Sequence, residues 1–156
     1  MDKLIKKTVI VTVAALIAVG SLTILIFSAF FPKASGDFCR KGKMYGAASG
    51  FYARVYDKSG SAEDFSSLMG CALEGNKKDY VVKYGKSVLG FKDELPSGDY
   101  EYFVWGAVTA GYECGNYAFS AEIAVKSGCA SALDLAKVYA EKNDEYAVEL
   151  NKHYLG

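Results

Sequence analysis

The sequence predicts an all-α protein, in which one long apolar helix near the N-terminus precedes a small helical domain. An unbroken apolar run extends from Thr8 to Phe31, with lysines before it and Pro32-Lys33 after it. In the rest of the chain the apolar residues recur at helical spacing, and no segment alternates with β-branched residues between turn signals. We therefore divide the chain into a short tail (1–7), a membrane-spanning helix (8–31) and an α-helical domain (32–156).

The apolar run is long enough to cross a membrane. At about 1.5 Å per residue, its roughly 24 residues reach about 36 Å, whereas a hydrocarbon core is about 30 Å thick. One alternative is a cleaved signal peptide, because Ala34-Ser35-Gly36 supplies small residues for a signal peptidase. A buried core helix is a second alternative, but a chain this short has too few residues to cover all its faces. The apolar region of a signal peptide is usually about 7–15 residues long, so the length favours an uncleaved anchor. Membrane lipid is therefore the first predicted partner.

The lysines near the N-terminus predict the orientation of the helix. Lys3, Lys6 and Lys7 precede the apolar run, and translocation of a short, positively charged N-terminus is disfavoured. The charge bias across the span is small, because basic residues also follow it: Lys33, Arg40, Lys41 and Lys43. We predict a single-pass protein with a cytoplasmic N-terminus and an extracytoplasmic C-terminal domain.

The domain after the helix is of a size that buries its own core. The chain carries 18 basic and 18 acidic side chains, and this neutral balance argues against nucleic acid as a partner. Basic residues dominate in residues 33–92 and acidic residues in 93–156. A basic half close to the membrane suits anionic headgroups, and an ordinary solvated surface accounts for the same distribution equally well.

The four cysteines suggest neither a zinc site nor an obligatory disulfide framework. Cys39, Cys71, Cys114 and Cys129 have spacings that match no zinc motif. Cys71 and Cys114 lie within apolar helical patterns, where a free cysteine packs as a small apolar residue. We favour buried thiols, and two disulfides are the alternative in an extracytoplasmic domain.

Turn residues divide the domain into helices of about ten to seventeen residues. Ser61 with Asp64 three residues later forms a weak capping box, and Asp99 places a negative charge near the start of a later helix. Seven breaks separate the helices: Gly42, Ser59-Gly60, Gly75-Asn76, Pro96-Ser97-Gly98, Gly115-Asn116, Gly128 and Asn143-Asp144.

A similar short turn recurs along the domain, at Gly42-Lys43-Met44, Gly75-Asn76-Lys77, Gly115-Asn116-Tyr117 and Asn143-Asp144-Glu145. Together with Trp105 through Val108 to Tyr112 before the third turn, and Leu135 through Tyr139 before the fourth, these segments resemble the tetratricopeptide-repeat family. The resemblance implies an array of helical hairpins. Only the interval between the first two turns fits the family period of about 34 residues. A generic hairpin array and an irregular helical bundle are the alternatives.

Aromatic residues are dense between Tyr100 and Phe119. They either line a groove for a peptide or fill gaps between stacked helices, and we favour the second interpretation. Trp105 in particular is predicted to pack between paired helices. The family resemblance implies that a partner would lie on the surface formed by the first helices, where five residues are expected to face outward: Asp64, Ser67, Cys71, Lys137 and Glu141.

No residue pattern predicts an enzyme. The one histidine, His153, lies near the C-terminus, and no Gly-x-Ser-x-Gly motif is present. Gly85-Lys86-Ser87 lacks the upstream glycine of a phosphate-binding loop. We expect no catalytic residue, no cofactor and no metal ion.

These observations predict a single-pass, membrane-anchored scaffold or adaptor that binds another protein. Two alternatives are an accessory subunit of a larger membrane complex, and a secreted structural domain with two disulfides after cleavage of the anchor.

Overall fold

The computed structural model describes residues 2–155, and the side chains of residues 5–154. This part of the chain is helical and contains no strand, so the all-α prediction is confirmed. Nine α-helices and one 3-10 helix (Gly85–Phe91, between α5 and α6) follow one another within it: α1 (Asp2–Phe30), α2 (Pro32–Lys41), α3 (Tyr45–Ser59), α4 (Ala62–Glu74), α5 (Lys78–Tyr84), α6 (Ser97–Glu113), α7 (Tyr117–Lys126), α8 (Ala130–Lys142) and α9 (Asp144–Leu155).

Helix α1 is long and apolar enough to cross a membrane. Its apolar stretch Ile5–Phe30 has 26 residues, and its large apolar side chains are exposed on every face. Ile10, Leu16 and Ile24, for example, are each about two-thirds exposed. A helix that is apolar all round suits either a protein interior or a bilayer, and the described residues do not cover α1. The helix begins at Asp2, so residues 2–7, which the sequence analysis assigns to a short tail, are part of α1.

The chain bends between α1 and α2 at Phe31. The backbone of Phe31, with φ of −126° and ψ of 60°, is outside the helical region, and Pro32 opens α2. Proline disfavours the α conformation in the residue before it, but its missing N–H is tolerated in the first turn of a new helix. A new helix therefore begins at Pro32.

Three turns in the domain share one backbone conformation. The second residue of each turn has a positive φ, which is 57° at Lys43, 49° at Asn76 and 71° at Gly115. At the middle turn, Asn76 N–H donates to the carbonyl of Leu73 at 3.1 Å, and the next N–H donates to that of Ala72 at 2.8 Å. The other two turns have the same hydrogen bonds, which satisfy carbonyls at the helix ends.

For the first two of these turns, the positions predicted from the sequence match those in the structure. The third turn comprises Cys114, Gly115 and Asn116, one residue earlier than predicted. The fourth turn differs, because Asn143 is extended (φ −148°, ψ 112°) and its side chain accepts the N–H of Tyr146 at 3.0 Å. Asn143 therefore caps α9 directly after α8 ends.

Two aromatic clusters lie in the core of the domain. Helix α3 packs against α2 and α4, α6 packs against α5 and α7, and α9 packs against α7 and α8. The Phe65 cluster joins α3, α4, the 3-10 helix and α6 through Tyr56, Phe65, Phe91 and Phe103. The tyrosine cluster joins α6, α7, α8 and α9 through Tyr112, Tyr117, Tyr139 and Tyr146.

Ser61 caps α4, as the sequence predicts. The Asp64 N–H donates to Ser61 Oγ at 3.3 Å, and the Asp64 carboxylate accepts from Ser59 Oγ at 2.6 Å. The same carboxylate lies 3.4 Å from the ammonium of Lys33 in α2. Asp64 thus connects the start of α4 to the helix that follows the apolar segment.

Replacing Asp64 by Asn is expected to reduce the loss of stability at acidic pH. The hydrogen bond from Ser59, supported by Ser61 and Lys33, lowers the pKa of Asp64 below its usual value of 3.8. A carboxyl group with a lowered folded-state pKa stabilises the fold above its unfolded-state pKa, and this stabilisation is lost as the pH falls through the folded-state pKa. Guanidinium unfolding of wild type and Asp64→Asn between about pH 5 and pH 2 measures the difference. An identical pH dependence in the two proteins would contradict this assignment.

Candidate functional site: the Trp105 groove

A narrow groove separates α6 from α4 and α5. Its volume is about 180 Å³. Tyr102, Trp105 and Thr109 line it on α6, while Leu73 of α4 and Val81 of α5 line the opposite side. We call this feature the Trp105 groove.

The spacing along α6 and one glycine position the groove. Tyr102, Trp105 and Thr109 lie three and four residues apart, so they share one face of the helix. Gly106 lies beside them, and a Cβ atom there would come within 2.5 Å of the Leu73 side chain. The missing side chain lets α4 approach α6 closely and keeps the groove narrow.

Two large aromatic side chains are half-exposed at the groove. Trp105 is 46% exposed and Tyr102 is 48% exposed. The prediction that Trp105 packs in the core between paired helices is therefore wrong. Val104 and Val108, which are fully buried, occupy the inward face of α6 instead.

Polar groups lie at the floor and at one end of the groove. The Thr109 hydroxyl oxygen is buried and has no hydrogen-bond partner among the described residues. At the end, the ammonium of Lys78 lies 2.9 Å from the Glu113 carboxylate, and this hydrogen bond raises the pKa of Lys78. The groove therefore combines an aromatic wall, one unsatisfied hydroxyl and one ion pair.

The other aromatic residues of this region belong to the core. Tyr100 and Phe103 are 5% and 3% exposed, and the Tyr100 hydroxyl donates to the carbonyl of Ser127 at 3.1 Å. Tyr112 and Tyr117 are part of the tyrosine cluster. These four aromatic side chains therefore pack between helices, whereas Tyr102 and Trp105 line the groove.

The five residues expected to face outward do not form one surface. Asp64 and Cys71 of α4 are only 7% and 3% exposed, so the expectation is wrong for both. Asp64 is buried because it completes the cap of α4 and pairs with Lys33, while Cys71 packs in the core. Ser67 is half-buried, whereas Lys137 and Glu141 of α8 are exposed. None of the five lines the Trp105 groove.

All four cysteines are free. Cys39 and Cys71 are buried, Cys129 is half-buried and Cys114 is exposed, so the prediction that Cys114 packs among apolar residues is wrong. Burial raises the pKa of the Cys71 and Cys129 thiols, which keeps them protonated at neutral pH. Across the described part of the chain, no three His, Cys, Asp or Glu side chains come together as a metal site.

The chain matches no protein-family profile, no curated protein and no solved structure. The resemblance to tetratricopeptide repeats therefore stays a prediction.

Proposed function

We propose that this protein is a membrane-anchored scaffold that binds a segment of a partner protein in the Trp105 groove. The observation that carries this proposal is the half-exposure of Trp105 and Tyr102 beside a narrow groove. Tryptophan and tyrosine are enriched among the residues that dominate the binding energy of protein interfaces.

The size of the groove favours a protein partner over a small-molecule ligand. Pockets for small molecules usually enclose about 300–1,000 Å³, and this groove has about 180 Å³. It has room for one or two side chains of a partner. An inserted polar group would satisfy the Thr109 hydroxyl, and a charged group at the rim would meet Lys78 or Glu113.

In this proposal α1 is a single-pass anchor with its N-terminus in the cytoplasm and the domain outside it. The exposed apolar surface of α1 supports the anchor, and the lysines before it support the orientation. The three turns of equal conformation support a helical-hairpin array similar to tetratricopeptide repeats. Anchoring raises the effective concentration of the groove near partners at the membrane.

A photo-crosslinking amino acid placed at Trp105 tests the groove in native membranes. Benzoylphenylalanine at position 105 should form one adduct of defined mass with a partner protein, which mass spectrometry identifies. The same amino acid at Tyr154 of α9, which is 47% exposed, is the matched control and should not form this adduct. Equal adducts at both positions, or none at position 105, would refute the proposal. Co-migration of the adduct with a large complex would favour the accessory-subunit form of this function.

Replacing Trp105 by Ala is expected to weaken partner binding strongly while leaving the domain folded. An interface tryptophan contributes on the order of 2 kcal/mol or more, which corresponds to a roughly 30-fold weaker affinity. The stability cost should remain below about 2 kcal/mol, because almost half of the Trp105 side chain is already exposed. Partner binding is measured as the adduct yield of benzoylphenylalanine placed at position 102, in the presence and absence of Trp105→Ala. Guanidinium unfolding measures the stability cost. An unchanged yield would show that Trp105 does not contribute to binding.

A further inference from the structure

An apolar hollow lies inside the corner formed by α1, α2 and α3. Its volume is about 470 Å³, and nearly all of its lining is apolar. Thr23 and Phe27 of α1 form one wall, Phe38 of α2 forms another, and Phe51 of α3 closes it. We call it the α1–α2 hollow.

The hollow extends along α1 into its apolar stretch. Thr23 lies seven residues before the end of α1 at Phe30, which is about 10 Å along the helix axis. The stretch Ile5–Phe30 is about 39 Å long, roughly 9 Å more than a hydrocarbon core. When α1 spans a bilayer, the hollow therefore lies at the boundary between acyl chains and headgroups.

The side chains at this hollow are suited to lipid rather than to water. Phe38 is 72% exposed, although it lies on the helix that begins the domain. Phe27 is 48% exposed, and Phe30 and Phe31 beside the corner are 75% and 57% exposed. Such a contiguous apolar surface is unusual on a soluble domain and is expected where a protein meets a membrane.

Three basic residues follow Phe38, which lines the hollow, within five positions of the chain. Arg40 and Lys41 follow Phe38 in α2, and Lys43 lies in the next turn; all three are exposed. Among the described residues no carboxylate forms an ion pair with them, whereas Lys33 pairs with Glu63 and Asp64. Asp37, the acidic residue of α2, accepts the Tyr52 hydroxyl at 2.6 Å. This unpaired positive charge is complementary to an anionic headgroup.

We infer that the α1–α2 hollow binds one acyl chain of an anionic phospholipid, whose headgroup contacts Arg40, Lys41 and Lys43. The lipid fills the corner between the membrane helix and the domain, and so holds the domain at a fixed angle to the membrane. This inference rests on the membrane anchor of the proposed function and is independent of the protein partner in the Trp105 groove.

Two threonines of α1 provide a matched pair of variants. The hydroxyls of Thr12 and Thr23 each donate to the carbonyl four residues earlier at 2.9 Å, and both residues are exposed. Only Thr23 lines the hollow. Phenylalanine at position 23 would occupy the hollow, whereas phenylalanine at position 12 would add the same apolar ring elsewhere on α1.

The experiment counts phospholipids bound to the full chain. Wild type, Thr12→Phe and Thr23→Phe are inserted into nanodiscs of palmitoyl-oleoyl phosphatidylcholine and phosphatidylglycerol, then released gently for native mass spectrometry. Wild type and Thr12→Phe should retain one phosphatidylglycerol per chain, and Thr23→Phe should retain at least about tenfold less. Replacing Arg40, Lys41 and Lys43 together by Gln should abolish the preference for phosphatidylglycerol over phosphatidylcholine.

Each other outcome overturns the inference. Equal retention by Thr23→Phe and Thr12→Phe would show that the hollow is not the lipid site. Equal retention of both lipids by wild type would exclude an anionic headgroup site, and a lipid-free dimer would identify a second copy as the occupant. If Thr23→Phe inserts normally and retains as much phosphatidylglycerol as wild type, the lipid-binding inference alone is refuted. If the chain does not insert into the nanodiscs, the membrane anchor is refuted as well.

Discussion

Replacing Phe65 by Ala is expected to destabilise the domain by about 3–5 kcal/mol, which is most of the stability of an ordinary small domain. Phe65 of α4 is fully buried. The centre of its ring lies 5.0 Å from that of Phe91, 5.6 Å from that of Tyr56 and 6.0 Å from that of Phe103. These partners belong to the 3-10 helix, α3 and α6, so truncation leaves a cavity where four elements meet.

Guanidinium denaturation of the full chain in nanodiscs, followed by Trp105 fluorescence, measures this loss of stability. Phe65→Leu is the control, because it keeps an apolar side chain and is expected to lose clearly less than Phe65→Ala. A loss below about 1 kcal/mol for Phe65→Ala would contradict the packing of these four elements around one ring.

The helix boundaries were largely predictable, because they depend on local chemistry. A positive φ occurs at Gly60, Gly115 and Gly128, where three of the predicted breaks lie. Gly75 is also required, since a Cβ atom there would lie 2.8 Å from the backbone nitrogen of Gly46. Glycine at such positions is visible in a sequence whatever the tertiary structure.

The 3-10 helix and the exact register of the third turn were not predictable in this way. Gly85–Phe91 has no side-chain cap, and its tight winding depends on packing against α5 and α6. In the third turn the residue with positive φ is Gly115, the first residue of the predicted turn, whereas in the first two turns it follows a glycine. Aligning the three turns on their glycines therefore places the third turn one residue later than the structure does.

The sequence offered an aromatic groove only as the less favoured interpretation, because α6 is apolar on most of its surface. Val104, Ala107 and Val108 are fully buried, while Trp105 and Tyr102 are half-exposed on another face. Helical periodicity identifies a buried face only when the opposite face is polar. The exposed aromatic face becomes visible only when the neighbours α4 and α5 are placed.

The expectation that Asp64 and Cys71 face outward was wrong, because both side chains are buried. The repeat resemblance assigns these residues to a surface, but the local sequence gives Asp64 a different role. Ser59 and Ser61 precede it, and their hydroxyls hold its carboxylate at the start of α4. These hydrogen bonds and the contact with Lys33 hold the Asp64 carboxylate against the first turn of α4, and the side chain is buried there. The Ser61 and Asp64 spacing that predicts this cap is visible in the sequence.

Replacing Tyr146 by Ala is expected to cost about 3–5 kcal/mol and to separate α9 from the rest of the domain. Tyr146 is fully buried, and its ring meets those of Tyr112, Tyr117 and Tyr139 edge to face, with centres 5.3, 5.8 and 5.9 Å apart. Ser120 Oγ donates to the carbonyl of Val108 at 2.7 Å, so Tyr146 donates its hydroxyl proton to Ser120 at 3.0 Å. One side chain thus links α9 to the three preceding helices.

Tyr146→Phe separates the contribution of the ring from that of the hydroxyl. It keeps the edge-to-face contacts and removes only the hydrogen bond to Ser120, so the expected loss is about 0.5–1.5 kcal/mol. Guanidinium unfolding of both variants, together with amide hydrogen exchange in α9, measures the two contributions. Fast exchange in α9 should accompany Tyr146→Ala and not Tyr146→Phe, because the ring anchors the last helix. Equal losses in the two variants would instead assign the stabilisation to the hydroxyl, and unchanged protection of α9 in Tyr146→Ala would show that other contacts hold this helix.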